Sequence, residues 1–262
     1  MYCDAHCHPC DLLENLCPAE LEKQLDNVSV AASSWNLKQF EYHESLAAKL
    51  EGRVVLCFAL HPQFPAYINS AENPDKLNGQ IDDALLLLEK LAHEKRIHAV
   101  GETGFDLFDD SFRKTEKIQD EIFALHLETA IRYNLPVVLH VRRAMHRIFP
   151  YEKKLKKLPA VVFHSWQGTT GEGEAFLRRG INAFFSFGAS IVNNHKKARA
   201  SCALLPLDRL LFETDAPNIP PQGKTFSSWA DLPLIYHTAA QLRPEPVPED
   251  VIAMNFARAF GR

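Results

Sequence analysis

Short apolar runs alternate with longer amphipathic segments along the chain, and the two kinds of stretch repeat with different periods. The runs predicted as strands are Met1 to His8, Asn27 to Ser34, Val54 to Pro62, Ile97 to Asp106, Pro136 to Arg142, Ala160 to Trp166, Ile181 to Gly188 and Leu210 to Pro217. Each has the length and apolar character of a buried strand. Between them, LKQFEYHESLAAKLEG, QIDDALLLLEKLAHEKR and KIQDEIFALHLETAIRYN place apolar residues three and four apart, the spacing of one helix face. Strands in strict alternation with helices demand a parallel sheet, because each crossover returns the chain to the same end. In a chain of 262 residues, eight such units predict an α/β fold of the closed (β/α)8 TIM-barrel type, with an open doubly wound sheet as the alternative. No fixed-period repeat, low-complexity tract or linker interrupts the pattern, so one domain over residues 1–262 is expected. Pro217 to Ser228 is predicted as a long loop after the last strand, placed to serve as a lid or substrate loop.

Composition narrows the function classes. With 46% hydrophobic and 24% charged residues, the chain can bury a large core. A formal net charge of −4 offers no overall attraction for nucleic acid, so a polyanionic substrate would need a local patch or metal. No apolar run approaches the roughly 20 residues of a membrane span. The N-terminus lacks the layout of a signal peptide. A cytoplasmic protein with no membrane partner and no obligate protein partner is expected. The six cysteines are too few and too clustered for a disulfide framework and are expected to be free. Cys7 and Cys10 form a C-x-x-C, but no second pair of that spacing is present to complete a structural zinc site.

In a barrel the C-terminal strand ends open into one shared bowl, where catalytic groups collect. His6 and His8 end the first run, His61 precedes Pro62 in the third, and Glu102 lies in VGETGFD. His140 lies in VVLHVR, His164 in VVFHSW and Asp215 in LLFETDAP. Residues two apart on a strand point to one side, so His6 and His8 are expected to face the mouth together. Four imidazoles and two carboxylates suit zinc, manganese or magnesium better than an all-thiolate structural site would. Six ligands exceed the needs of one tetrahedral ion, whereas two divalent ions roughly 3.5–4 Å apart, sharing a carboxylate, would use them all. His43, His93, His98, His126, His146, His195 and His237 fall in helical patterns and are read as ordinary core or surface histidines.

The landmarks occur in a definite order: D-A-H-C-H at 4 to 8, L-H-P at 60 to 62, G-E-T-G-F-D at 101 to 106 and L-H-V-R-R-A at 139 to 144. F-H-S-W-Q-G at 163 to 168, F-S-F-G-A-S at 185 to 190, L-F-E-T-D-A-P at 211 to 217 and N-F-A-R-A-F-G at 255 to 261 follow. In this order the chain resembles the TatD-type metal-dependent hydrolases and deoxyribonucleases of the amidohydrolase-like superfamily. The resemblance implies that His6 and His8 hold one ion, His140 and His164 the other, and that Glu102 bridges them. Asp215 would complete the first ion's shell and act as general base. The activity implied is magnesium- or manganese-supported phosphodiester hydrolysis of DNA, single-stranded or at duplex ends; some relatives cleave other esters, including aminoacyl esters on RNA. Two features depart from the family pattern: the run NIPPQGKTFSSWADLP after the T-D-A-P turn, and His126, where many members carry glutamine.

In the mechanism so expected, Asp215 takes a proton from water polarised by the ions. Arg142, two residues beyond His140, and His61 are expected to meet the phosphoryl oxygens. Glu213, two before Asp215, is expected to orient the ligands from behind. Trp166, Lys224, Phe226 and Trp229 in barrel-top loops are expected to favour nucleic acid through stacking and phosphate contact. The same metal site would also serve a hydrolase of a small cyclic amide, lactone or ester. A non-catalytic scaffold would have no reason to retain so many costly buried polar groups.

Overall fold

Eight parallel strands follow one another in chain order around one sheet in the computed structural model, which describes residues 1–68 and 74–261. They are β1 (Tyr2–Cys7), β2 (Val28–Ser34), β3 (Val54–Phe58), β4 (Ala99–Asp106), β5 (Val137–Arg142), β6 (Val161–Phe163), β7 (Ala183–Phe187) and β8 (Leu210–Phe212). Each predicted run contains a strand. The last segment returns to the first: Asp215 N donates to His6 O at 3.0 Å and His8 N to Ala216 O at 2.8 Å. The sheet therefore curls into a barrel, and the open doubly wound alternative is discarded.

Strands β3, β6 and β8 end well before their apolar runs suggested. β3 stops at Phe58, β6 at Phe163 and β8 at Phe212, so His61, His164 and Asp215 stand on the segments beyond them. Asp215 adopts a left-handed backbone (φ 51°), which its short polar side chain tolerates better than a branched one would.

Alternate strand positions serve two cores. Val54, Leu56 and Phe58, Val137 and Leu139, and Val161 and Phe163 pack outward into the layer shared with the helices. Val55, Cys57, Val138, Val162, Phe184 and Leu211 form a second cluster inside the barrel. Phe256, Ala259 and Phe260 of the helix Glu249–Phe260 join this inner cluster and close the end of the barrel from which β1 and β8 start. Burying each of these phenylalanines contributes about 1.5–3 kcal/mol. With that end sealed by apolar side chains, the polar groups are left at the other.

Two bulges break the alternation where it matters. Asp4 pairs with Val30 but Cys7 with Ala32, and Val100 pairs with Val137 but Thr103 with Leu139. Three steps on one strand match two on its neighbour, and one extra residue exchanges the inner and outer faces beyond it. Accordingly Cys3 and Ala5 face the interior whereas Cys7 packs outward, and Ala99 faces inward whereas Phe105 packs outward. His6, His8 and Glu102 are thereby turned toward the barrel mouth. Gly104 lets β4 pass close to β5: a Cβ there would lie 2.3 Å from the His140 carbonyl oxygen, and its φ of +135° disfavours other residues.

The histidines read as ordinary divide by environment. His43 is buried in the helix Leu37–Lys49, with Nε2 accepting from Cys10 N at 3.0 Å and Nδ1 2.7 Å from Ser34 Oγ. His126, buried in the helix Glu116–Arg132, places Nδ1 2.7 Å from Thr103 Oγ1. His98 is not helical; it precedes β4, and its Nδ1 accepts from Leu56 N at 2.8 Å. Desolvation holds the His43 and His126 imidazoles down to about 3. The unfolded chain, whose histidines titrate near pH 6.5, therefore binds more protons than the folded protein between these values. Their contribution is complete above about pH 6.5 and declines on acidification by about 1.4 kcal/mol per pH unit for each histidine. His126→Gln should accordingly flatten the fall in stability between about pH 6 and pH 4; equal slopes for variant and wild type in urea melts would refute the assignment.

Candidate metal centre

The centre is assembled around one carboxylate. Glu102 on β4 is 5% exposed, and its two oxygens face different groups. Oε2 lies 3.1 Å from His6 Nε2 and 3.6 Å from His8 Nε2. Oε1 lies 2.5 Å from His140 Nδ1, 2.8 Å from His164 Nε2 and 3.2 Å from His61 Nε2. Burial alone would raise this carboxyl, but the surrounding His164, His61 and His6 hold it well below the usual carboxylate range.

Asp215 approaches from the β8 side, with Oδ1 3.5 Å from His8 Nε2 and 3.7 Å from His6 Nε2. Burial pushes its carboxyl up, and the hydrogen bond from His8 with the neighbouring imidazoles brings it below the ordinary value. The seam between β1 and the β8 turn is pinned by Asp4: Oδ1 accepts from Thr214 N at 3.0 Å and His6 N at 3.1 Å, and Oδ2 from Thr214 Oγ1 at 2.6 Å. Burial nevertheless raises the Asp4 carboxyl to about 8, against the pull of the Thr214 bonds.

Three of the imidazoles have polar groups behind them. His6 Nδ1 lies 3.2 Å from Ser33 Oγ. His140 Nε2 lies 3.0 Å from Asp106 Oδ2, which also accepts from Gln63 Nε2 at 2.7 Å. Against the cost of burial, these bonds hold the Asp106 carboxyl down to about 2. Behind His164, Glu213 Oε1 accepts from Ser165 N at 2.7 Å and stands 3.5 Å from His164 Nδ1. Such outer partners orient ligand rings and choose their tautomers.

The donor set fits divalent cations. Three overlapping groups, His6–His164–Asp215, His6–His8–Glu102 and His61–Glu102–His140, each bring their ligand atoms within 4.8 Å of one another. Ring nitrogens confront each other, His6 Nε2 and His8 Nε2 at 3.1 Å and His140 Nδ1 and His164 Nε2 at 3.2 Å. Converging lone pairs repel unless a cation or proton lies between them. Among the described residues, no lysine or arginine makes an ion pair with Glu102 or Asp215. Mixed nitrogen and oxygen donors suit zinc or manganese better than a site of oxygen ligands alone would.

The family model described as TatD related DNase matches residues 3–261. The chain belongs to this family. An uncharacterized metal-dependent hydrolase, YjjV of Escherichia coli K12, is 31% identical over 194 residues, or 71% of this chain and 72% of that protein. The 3'-5' ssDNA/RNA exonuclease TatD of Dickeya dadantii is 34% identical over 169 residues, 62% of either chain. The crystal structure of the E. coli K12 TatD homolog YjjV superposes over 100% of this chain and 98% of its own, with a TM-score of 0.81 at 25% identity.

In this TatD family member the six residues read as ligands, His6, His8, Glu102, His140, His164 and Asp215, converge at one barrel end. His61, expected over the substrate, lies within ligand range of Glu102 as well. Arg142 lines the same cavity of 530 Å³, with its guanidinium 3.6 Å from the centre of the Phe108 ring. Trp166 and Trp229 do not stack on a ligand: they are 1% and 2% exposed, and Trp166 packs against Phe163 and Phe185. Phe226 packs against the core, which removes it from the expected nucleic-acid surface; Lys224 stays exposed, paired with Asp231, and is not among the residues lining the metal cavity. Trp35 and Tyr67, which no sequence pattern singled out, line the cavity instead and are 38% and 70% exposed. Tyr67 Oη donates to Gln63 Oε1 at 2.6 Å, so the aromatic lip connects through Gln63 and Asp106 to His140. Asp106 was legible as a polar strand end two residues beyond Gly104, whereas Trp35 carried no signal to separate it from a core aromatic. The six cysteines are free, and no helix among the described residues is long and apolar enough to cross a membrane.

Because a cation site formed by folding stabilises only the folded state, zinc or manganese added to chelated protein should raise Tm by several degrees. Glu102→Ala should lose most of that rise. An undiminished rise in the variant would remove Glu102 from the centre.

Proposed function

We propose that this TatD family member is a divalent-metal-dependent phosphodiesterase acting as one barrel domain on nucleic acid, with single-stranded DNA as substrate. The observation that carries the reading is the two-sided Glu102 carboxylate, one oxygen toward His6 and His8 and the other toward His61, His140 and His164, at the base of an open cavity. His6, His8 and Asp215 would hold one ion, His140 and His164 a second, and Glu102 would be shared. Two bound ions, magnesium, manganese or zinc, would lower the pKa of water and offset charge on the phosphoryl oxygens.

The chain's own residues supply the rest. Asp215, ionised at neutral pH, accepts the attacking water's proton on its carboxylate. Arg142, resting on Phe108 at the cavity wall, meets the phosphoryl oxygens with a planar donor array. Glu213 holds the Ser165 turn and thereby the bearing of His164. Trp35, whose ring centre is 5.8 Å from that of Phe64, gives an unpaired base a face on which to stack. An exposed aromatic lip favours a nucleobase-bearing substrate over a small lactone or cyclic amide.

End-labelled single-stranded DNA, incubated with chelated protein and added magnesium, manganese or zinc, tests the reading. His140→Ala and Asp215→Asn should lower turnover by about 10²–10⁴-fold with unchanged circular dichroism. A folded variant of wild-type activity would exclude that residue. Trp35→Ala should raise KM about 5- to 100-fold at nearly constant kcat, in line with the loss of one stacked base; an unaltered KM would exclude the stacking contact.

A further inference from the structure

Beside the metal pocket lies a second cavity of 630 Å³, and Val141, Gln167 and His195 line both. Its wall differs in chemistry from the aromatic lip opposite. Arg143 and His146 follow β5, Lys196 and Lys197 open the helix Lys196–Leu204, and all four are exposed. Among the described residues, Lys196, Lys197 and Arg143 make no ion pair; Arg143 reaches only the Phe108 carbonyl at 3.4 Å and its ring face at 4.6 Å. The carboxylate on this wall, Glu172, is already engaged, accepting from Thr169 N at 2.7 Å and Thr169 Oγ1 at 2.9 Å. Glu172 offsets one of these charges, and Arg143, Lys196 and Lys197 together leave a local positive excess in a chain of net charge −4.

One further observation at this cavity points to an anionic ligand, and a second, in the adjoining metal pocket, points to a ligand that crosses both. His195 stands at the N-cap of the Lys196–Leu204 helix without a side-chain cap bond, leaving a positive helix end directed at the cavity region. Ser190, 4% exposed on the wall of the metal pocket and not of this cavity, has a hydroxyl with no hydrogen-bond partner among the described residues, at the end of the path that leads from one pocket to the other. A buried hydroxyl without a partner is costly unless a ligand satisfies it.

We infer that the second cavity binds the phosphodiester backbone of nucleotides adjoining the scissile bond, so that the enzyme acts on a strand and not on an isolated phosphate ester. The inference rests on the phosphodiesterase reading and extends it: bases lie toward Trp35 and the backbone runs past Gln167 and His195 to Arg143, Lys196 and Lys197. No sequence is read there, since these side chains contact phosphate and not base edges.

Three measurements on the full chain test this. Binding of fluorescent decathymidylate is followed by anisotropy in chelator. Hydrolysis of decathymidylate and of bis(4-nitrophenyl) phosphate, too short to span both cavities, is followed with magnesium, manganese or zinc. Lys196→Glu/Lys197→Glu should weaken oligonucleotide binding and lower its kcat/KM by about ten-fold or more, and should flatten the logarithmic salt dependence by about 0.7 for each phosphate no longer neutralised. Turnover of the small ester should change less than about two-fold, because it carries no phosphate beyond the scissile group. Arg143→Glu provides an independent second variant with the same pattern. Equal losses on both substrates, or no loss on the oligonucleotide, overturn the subsite while the hydrolase reading stands. Failure of the wild type to hydrolyse either substrate with any of the three metals defeats both.

Discussion

The chemistry of this barrel depends on keeping one buried carboxylate ionised. Glu102 sits at 5% exposure among five imidazoles, with no arginine or lysine paired to it among the described residues. An ionised carboxylate buried without compensation would cost several kcal/mol, enough to protonate it instead. The imidazoles compensate it in part, and divalent cations would compensate it fully while separating the ring nitrogens that now face one another. Stability and metal affinity are therefore linked at the same atoms.

Bringing Glu102 and its histidines together requires a departure from regular strand geometry. The inner cluster of Ala5, Ala31, Ala99 and Val138 sets an alternation that, carried on unbroken, would direct His6, His8 and Glu102 toward the helical layer. One extra residue in β1 and another in β4 reverse the faces just below the mouth. His140 and His164 need no such device, since Val138 and Val162 already face inward two residues earlier. Asp4 then ties the bulged β1 to Thr214, which sets the distance between His6 and Asp215.

Around this core the mouth is asymmetric. Trp35 and Tyr67 present ring faces on one side; Arg143, Lys196 and Lys197 present charge on the other. A single-stranded nucleic acid has the matching pair of surfaces, bases that stack and phosphates that attract cations. A duplex would hide the bases from the aromatic side, which is why the proposed substrate is a strand.

The strand and helix order, and most of the metal centre, were legible in the sequence because they rest on local pattern. Apolar runs of strand length separated by helical periodicity leave a parallel sheet as their solution, and polar histidines and acids at the run ends must lie at one rim of it. Tertiary structure alone decided three things. It placed the bulges, because a register shift is a property of two paired strands and neither carries it alone. It sorted the aromatics, burying Trp166 and Trp229 while exposing Trp35 and Tyr67, because a tryptophan in a loop has the same local pattern whether it anchors the chain or meets a ligand. And it joined Arg143 and His146 to Lys196 and Lys197, some fifty residues away along the chain, because parallel pairing of β5 and β7 with the short β6 between them brings the segments that follow both strands to one rim.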